Sequence, residues 1–117
     1  MIDLDKSLSF YETALRGISA RQQVTAHNVA NQNTPGYRSR EVKFESLLED
    51  ALRSGTDPKT VDFTATQVGN LPMKADGNDV DLEREWMHME ANKLQHEVFA
   101  RAAGGALRGL MNAIRSR

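Results

Sequence analysis

Pro35 divides the chain. Proline has no amide hydrogen to extend a helical ladder, and it disfavours helical geometry in the residue before it. Any helix arriving from the N-terminal side therefore finishes near Asn33. Gly36 follows, and the run Thr34-Pro35-Gly36-Tyr37 suits a type II turn: proline sets φ at the second position and glycine supplies positive φ at the third. The chain can hold one long helix before this point and another after it, but not one helix through it.

Before the turn, Leu8, Tyr11, Leu15, Ile18, Gln22, Thr25 and Val29 recur at alternating spacings of three and four. This is the rhythm of a coiled-coil seam with two polar positions in it. It predicts a helix over about 8–31, roughly 36 Å long. After the strong turn signal Asp76-Gly77-Asn78, Asp79 or Asp81 can cap a second helix, with Glu83 and Glu85 in its first turns. Its apolar positions are Met87, Ala91, Leu94, Val98, Ala102, Ala106, Leu110 and Ile114, joined after Ala102 by Ala103, Leu107 and Met111. A helix over 82–114 would span about 50 Å. Gly104, Gly105 and Gly109 fall inside this pattern, each costing about 1 kcal/mol relative to alanine. Either they break the helix or they let a neighbouring backbone come close, and both readings stay open at this stage.

Between the helices the period changes. Val42 and Phe44 alternate with Glu41, Lys43 and Glu45; Val61, Phe63 and Ala65 alternate with Asp62 and Thr64. Both read as short strands forming a small pair. Phe44 also leads into a short helix ending near Leu52. The expected fold is mainly α: two long terminal helices pairing as an antiparallel coiled coil around a short irregular middle segment with a small β element. As one domain it divides into an N-terminal helix over 1–33, the turn and middle segment over 34–78, and a C-terminal helix over 79–117.

Composition narrows the function. Apolar residues make up 39% of the 117 positions and aromatics 6%, too little for a large self-contained core. Fifteen basic and sixteen acidic residues leave a net charge of −1, which points to neither nucleic acid nor an anionic membrane. There is no cysteine for disulfides, thiol catalysis or thiolate metal sites. The opening residues lack the apolar core of a secretory signal, and no apolar run approaches the ~18 residues of a membrane span.

No catalytic or metal constellation emerges. His27, His88 and His96 are the only histidines, and the last two lie two helical turns apart, too far to chelate one ion directly. The run beginning at Asp76 resembles a calcium loop, but Val80, Asp81 and Met87 occupy the places that need an oxygen ligand, glycine and glutamate. Gly104-Gly105 lacks the lysine and preceding strand of a phosphate loop. Trp86, Met87 and Met89 at helical spacing read as packing residues in preference to a ligand cage. No enzyme, metal or cofactor is expected.

The asparagines remain. Asn28, Asn31 and Asn33 cluster just before the turn, although asparagine is a poor helix former. Their amides can satisfy helix-end carbonyls or the backbone of another segment, or they can simply be soluble helix-end residues. With the residues between them and Thr34-Pro35-Gly36-Tyr37, they resemble the N-terminal signature of the flagellar rod, hook and hook-associated axial proteins. The stretch from Asp76 to Glu85, followed by Met89 and Asn92, is similar to the C-terminal half of a proximal rod member of that family.

The resemblance implies a structural rod subunit of the basal body, spanning the periplasmic space and transmitting motor torque to the hook. It implies export through the flagellar type III apparatus without a cleaved signal. It also implies neighbours: the adaptor protein FliE, the MS-ring protein FliF, the rod protein FlgC and further copies of itself. On this reading the motif residues are Asn28, Asn31, Asn33, Thr34, Pro35, Gly36 and Tyr37. Assembly would run through Leu8, Tyr11, Leu15, Ile18, Val29, Trp86, Met87, Met89, Leu94, Val98, Leu107, Leu110 and Ile114. The competing reading is a soluble helical adaptor or export chaperone that binds a partner through its amphipathic helices.

Overall fold

The computed structural model describes residues 4–116. Helix α1 (Leu4–Ala30) leads through the turn to strand β1 (Arg40–Glu41) and helix α2 (Phe44–Ser54). A single 3-10 turn (Pro58–Thr60), strand β2 (Thr66–Gln67) and helix α3 (Leu82–Arg115) complete the order. The molecule is elongated, 66 × 28 × 15 Å. Its long helices run antiparallel: Arg21 reaches Asn92 and Gln95, while Tyr11, earlier on α1, meets Phe99, later on α3.

The middle segment is more ordered than expected and supplies most of the core. Phe44, Leu48 and Ala51 bury one face of α2, and Val42, Val61 and Phe63 join them against Ala14 and Ile18 of α1. The Phe44 and Phe63 rings, 6.0 Å apart between centroids, lie over Gly17, the one place on α1 without a side chain to hold them off. Arginines bracket the contact, with Arg16 over Phe63 and Arg21 over Phe44 at 5.0 and 5.1 Å from the ring centroids.

The two expected strands are displaced. Pairing is antiparallel but limited to Arg40 with Gln67 and Glu41 with Thr66, at the leading edge of the first alternating segment and just past the end of the second. Phe44 opens α2 instead, because its apolar partners recur at helical spacing. Val61 and Phe63 are buried in an extended stretch whose backbone bonds to a side chain: Arg16 donates to the Val61 carbonyl at 2.7 Å. Alternation records an extended backbone with one face buried, and it does not require a neighbouring strand.

Helix α3 is unbroken through all three glycines, and Asp81 is its cap, accepting from the Glu83 amide at 3.1 Å. Its face toward α1 differs from expectation. Glu85 and Asn92 are buried, and His88, Gln95, Phe99, Ala102, Ala106 and Gly109 are half-buried at the same three-four rhythm. Trp86, Met87, Leu94 and Val98 stand 57–71% exposed on the other side. The apolar run advances mostly by four residues, and each such step turns about 40° around a 3.6-residue helix. The stripe therefore spirals, outward at Met87, toward α1 by Ala102 and Ala106, and past it at the exposed Ile114.

Candidate functional site

Two short stretches, far apart in sequence, form a joint at the shared end of the long helices. The first is the turn. Gly36 has φ of 74°, and the Tyr37 amide donates to the Thr34 carbonyl at 3.2 Å, closing the type II turn that Pro35 and Gly36 prescribe. The second is the run from Lys74 to Asp81. Asn78 is fully buried, and its amide nitrogen donates to the carbonyls of Asn31 and Thr34, both at 2.8 Å. Both carbonyls lie just past the end of α1, and each also accepts a backbone amide, from Thr34 and Tyr37 respectively. The Asn78 side-chain oxygen accepts from the Val80 amide at 2.8 Å, and its backbone amide donates to Asp76 at 3.0 Å. The Gly36 amide donates to the Asp76 carbonyl at 2.9 Å.

Asn28 does the same from within α1. At 1% exposure, its amide nitrogen donates to the Arg40 carbonyl at 2.8 Å, and its oxygen accepts from the Arg40 amide at 3.1 Å. The side chain thus pairs with the backbone as a neighbouring strand would. The same oxygen accepts from the Tyr37 hydroxyl at 2.9 Å. Burial raises the pKa of that hydroxyl; Arg40 pulls it back, and the Glu85 and Asp79 carboxylates add to the rise. Asn31 donates to the His27 carbonyl at 2.8 Å and accepts from the Thr34 hydroxyl at 3.1 Å.

Of the seven motif residues, Asn33 is exposed and stands outside this network, and Pro35, also exposed, acts through its ring geometry alone. Asn78 and Asp79 entered the sequence reading as turn and cap residues. Their partners in the first stretch lie forty or more residues upstream, as in the Asn78–Asn31 bond across 47 positions, so nothing local announces that role.

Asp79 is the buried charge of the joint. Burial alone would raise its pKa, but the Ser39 backbone amide and the Arg38 guanidinium, the latter at 3.0 Å, outweigh it and hold the carboxyl below 3.8. A folded-state pKa below the unfolded value gives stability that is present above 3.8 and lost as pH falls through the lower folded value. We expect the thermal midpoint to drop on acidification from about pH 5 toward about pH 2, and Asp79→Asn to be less stable at neutral pH with a shallower acid limb. Parallel acid limbs in the two proteins would contradict this.

The expected assembly residues divide in two. Ile18 is buried, while Leu8, Tyr11, Leu15, Val29 and Leu110 are half-buried within the subunit. Trp86, Met87, Met89, Leu94, Val98, Leu107 and Ile114 are exposed. Among the described residues no group of three or more His, Cys, Asp or Glu is placed to hold a metal ion, and no helix is long and apolar enough to cross a membrane.

The two long helices are paired and locked at one end, with apolar side chains left open along α3, the form of a structural subunit. Comparison with known proteins specifies which. Residues 8–38 match the family described as flagella basal body rod protein. The chain is 34% identical to the flagellar basal body rod protein FlgB of Escherichia coli (strain K12), across 99% of each chain. It is 31% identical to FlgB of Salmonella typhimurium across 97% of each, and 27% identical to FlgB of Bacillus subtilis across 88% of each. The chain belongs to the FlgB family of flagellar basal body rod proteins, a family of structural proteins and not of enzymes.

Proposed function

We propose that the protein is a subunit of the proximal rod, co-assembling through its terminal helices into the polar array that carries motor torque across the periplasmic space to the hook. The near full-length likeness to FlgB carries this reading. The joint keeps α1 and α3 in fixed register, so the exposed residues from Trp86 to Val98 and at the distal end of α3 form an ordered face for neighbours. The neighbours proposed are FliE, FliF, FlgC and further copies of this chain, reached after delivery by the flagellar type III export apparatus.

The test is mass spectrometry of detergent-washed hook–basal bodies. The wild-type chain should remain at a stoichiometric level. Gly36→Val should be depleted and the cells poorly motile, because a β-branched residue strongly disfavours the φ of 74° found there. Loss of the wild-type chain to the soluble fraction, with the rod otherwise intact, would favour the helical adaptor.

A further inference from the structure

Helix α3 carries two orders, one of charge and one of apolar side chains, that share an offset. Glu83, Glu90 and Glu97 recur every seven residues in its first half, and Arg101, Arg108 and Arg115 every seven in its second. Each arginine lies eighteen residues after one of the glutamates, which is five full turns, so all six fall along one line of the helix. All six are exposed, and none has an ion pair among the described residues. The helix dipole accounts for Glu83 and Arg115 at the ends, but its influence fades within a turn and does not reach the inner four.

Apolar residues flank this line on alternate sides. Met87, Leu94 and Val98 lie along one side of it in the first half of α3; Leu107, Met111 and Ile114 lie along the other side in the second half. These six side chains are 44–71% exposed. Taken in order, the members of the two rows are twenty, seventeen and sixteen residues apart, close to the offset of the charges.

We infer that neighbouring copies of this chain in the rod pack α3 beside α3 in parallel, one advanced along the other by eighteen residues, about 27 Å. In that register Met87 of one copy meets Leu107 of the next, Leu94 meets Met111, and Val98 meets Ile114. Along one edge of this apolar seam Glu83 stands beside Arg101, Glu90 beside Arg108 and Glu97 beside Arg115. Placing the advanced copy on the other flank keeps the charge pairs but sets Trp86 against Gly105 and Lys93 against Asn112, so the apolar rows select the side. Within the subunit the Arg108 guanidinium folds back beside Gly104 and Gly105; as the far end of a flexible side chain, it can turn outward to a neighbour's Glu90. The occupant is a second copy because two separate patterns in one helix call for the same stagger. Each copy gives one flank forward and the other back, a heterologous contact that does not close and therefore repeats along an array. The contact belongs to the assembled rod, rests on the rod reading above and requires no helix in the free chain.

Disulfide cross-linking in detergent-washed hook–basal bodies tests it. The chain has no cysteine of its own, so introduced thiols report alone. Positions 94 and 111 stand about 25 Å apart along one helix, so a chain carrying both Leu94→Cys and Met111→Cys can bridge only to another copy. Mild oxidation should give a ladder of dimers and higher multiples of this chain, and neither single-cysteine chain should cross-link. Glu90→Arg alone and Arg108→Glu alone should each lower the amount of chain retained by about tenfold, and the two together in one chain should restore it. A double-cysteine chain retained without the ladder would overturn the register and leave the rod reading standing. So would Leu94→Cys bridging to itself or to a protein of another mass, or a double reversal that stays depleted. Absence of the wild-type chain from the washed particles would overturn both readings.

Discussion

Gly17→Val is expected to cost about 3 kcal/mol or more, a large fraction of the stability of a small domain, which is of order 5–15 kcal/mol. Even the first atom of a side chain at this position would stand 2.5 Å from Phe44 and 2.9 Å from Phe63. Neither ring can retreat easily, since both are buried in one core cluster with Leu48, Ala51 and Val61. Gly17→Ala is the sharper comparison. Alanine gains about 1 kcal/mol over glycine in a helix, but the ring overlap outweighs that gain. Gly104→Ala serves as the control: its nearest neighbour is the flexible tip of Arg108 at 3.5 Å, so propensity wins there and the change stabilises by about 1 kcal/mol. Urea unfolding of the three variants decides the matter. A Gly17→Ala protein as stable as the wild type would mean that the rings do not close on α1 as described.

Asn28→Ala ranks second. It strips partners from the Arg40 amide, the Arg40 carbonyl and the Tyr37 hydroxyl. A buried polar group left unpaired costs about 1–3 kcal/mol, so a total near 3 kcal/mol is expected even if water reaches one of the three. Tyr37→Phe removes one of these bonds and should cost only about 1 kcal/mol. Asn28→Asp keeps the shape but loses the donor to the Arg40 carbonyl, and it should behave more like alanine than like asparagine. In a double-mutant cycle, Asn28→Ala and Tyr37→Phe should together cost less than their sum. Strict additivity would show that the hydroxyl bond contributes nothing to the joint.

The parts of this fold legible in the sequence are those with local causes. Pro35 and Gly36 specify their turn because ring geometry and positive φ are properties of single residues, and Asp81 is a recognisable cap for the same reason. Both long helices follow from periodicity. The inner face of α3 was not legible, because Glu85, Asn92 and Gln95 are polar and a search for apolar stripes passes over them. Arg21, whose guanidinium holds both Asn92 and Gln95, makes that seam workable, and its reach across 71 and 74 positions leaves no local trace. Gly17 is silent for a related reason: its function is to be vacant for two phenylalanines that arrive much later in the chain. In the candidate site, the cluster of amides marked Asn28 and Asn31, but only the fold shows Asn78 completing what they begin.

One consequence follows from that completion. The same four residues, Asn78 to Asp81, close the end of α1 and open α3. Neither helix terminus is finished until roughly two-thirds of the chain is present, and then both are finished together. A chain delivered N-terminus first would therefore carry a frayed leading helix throughout its passage, and a single late event would set it. In such a chain one asparagine, Asn78, would complete both helix ends at once.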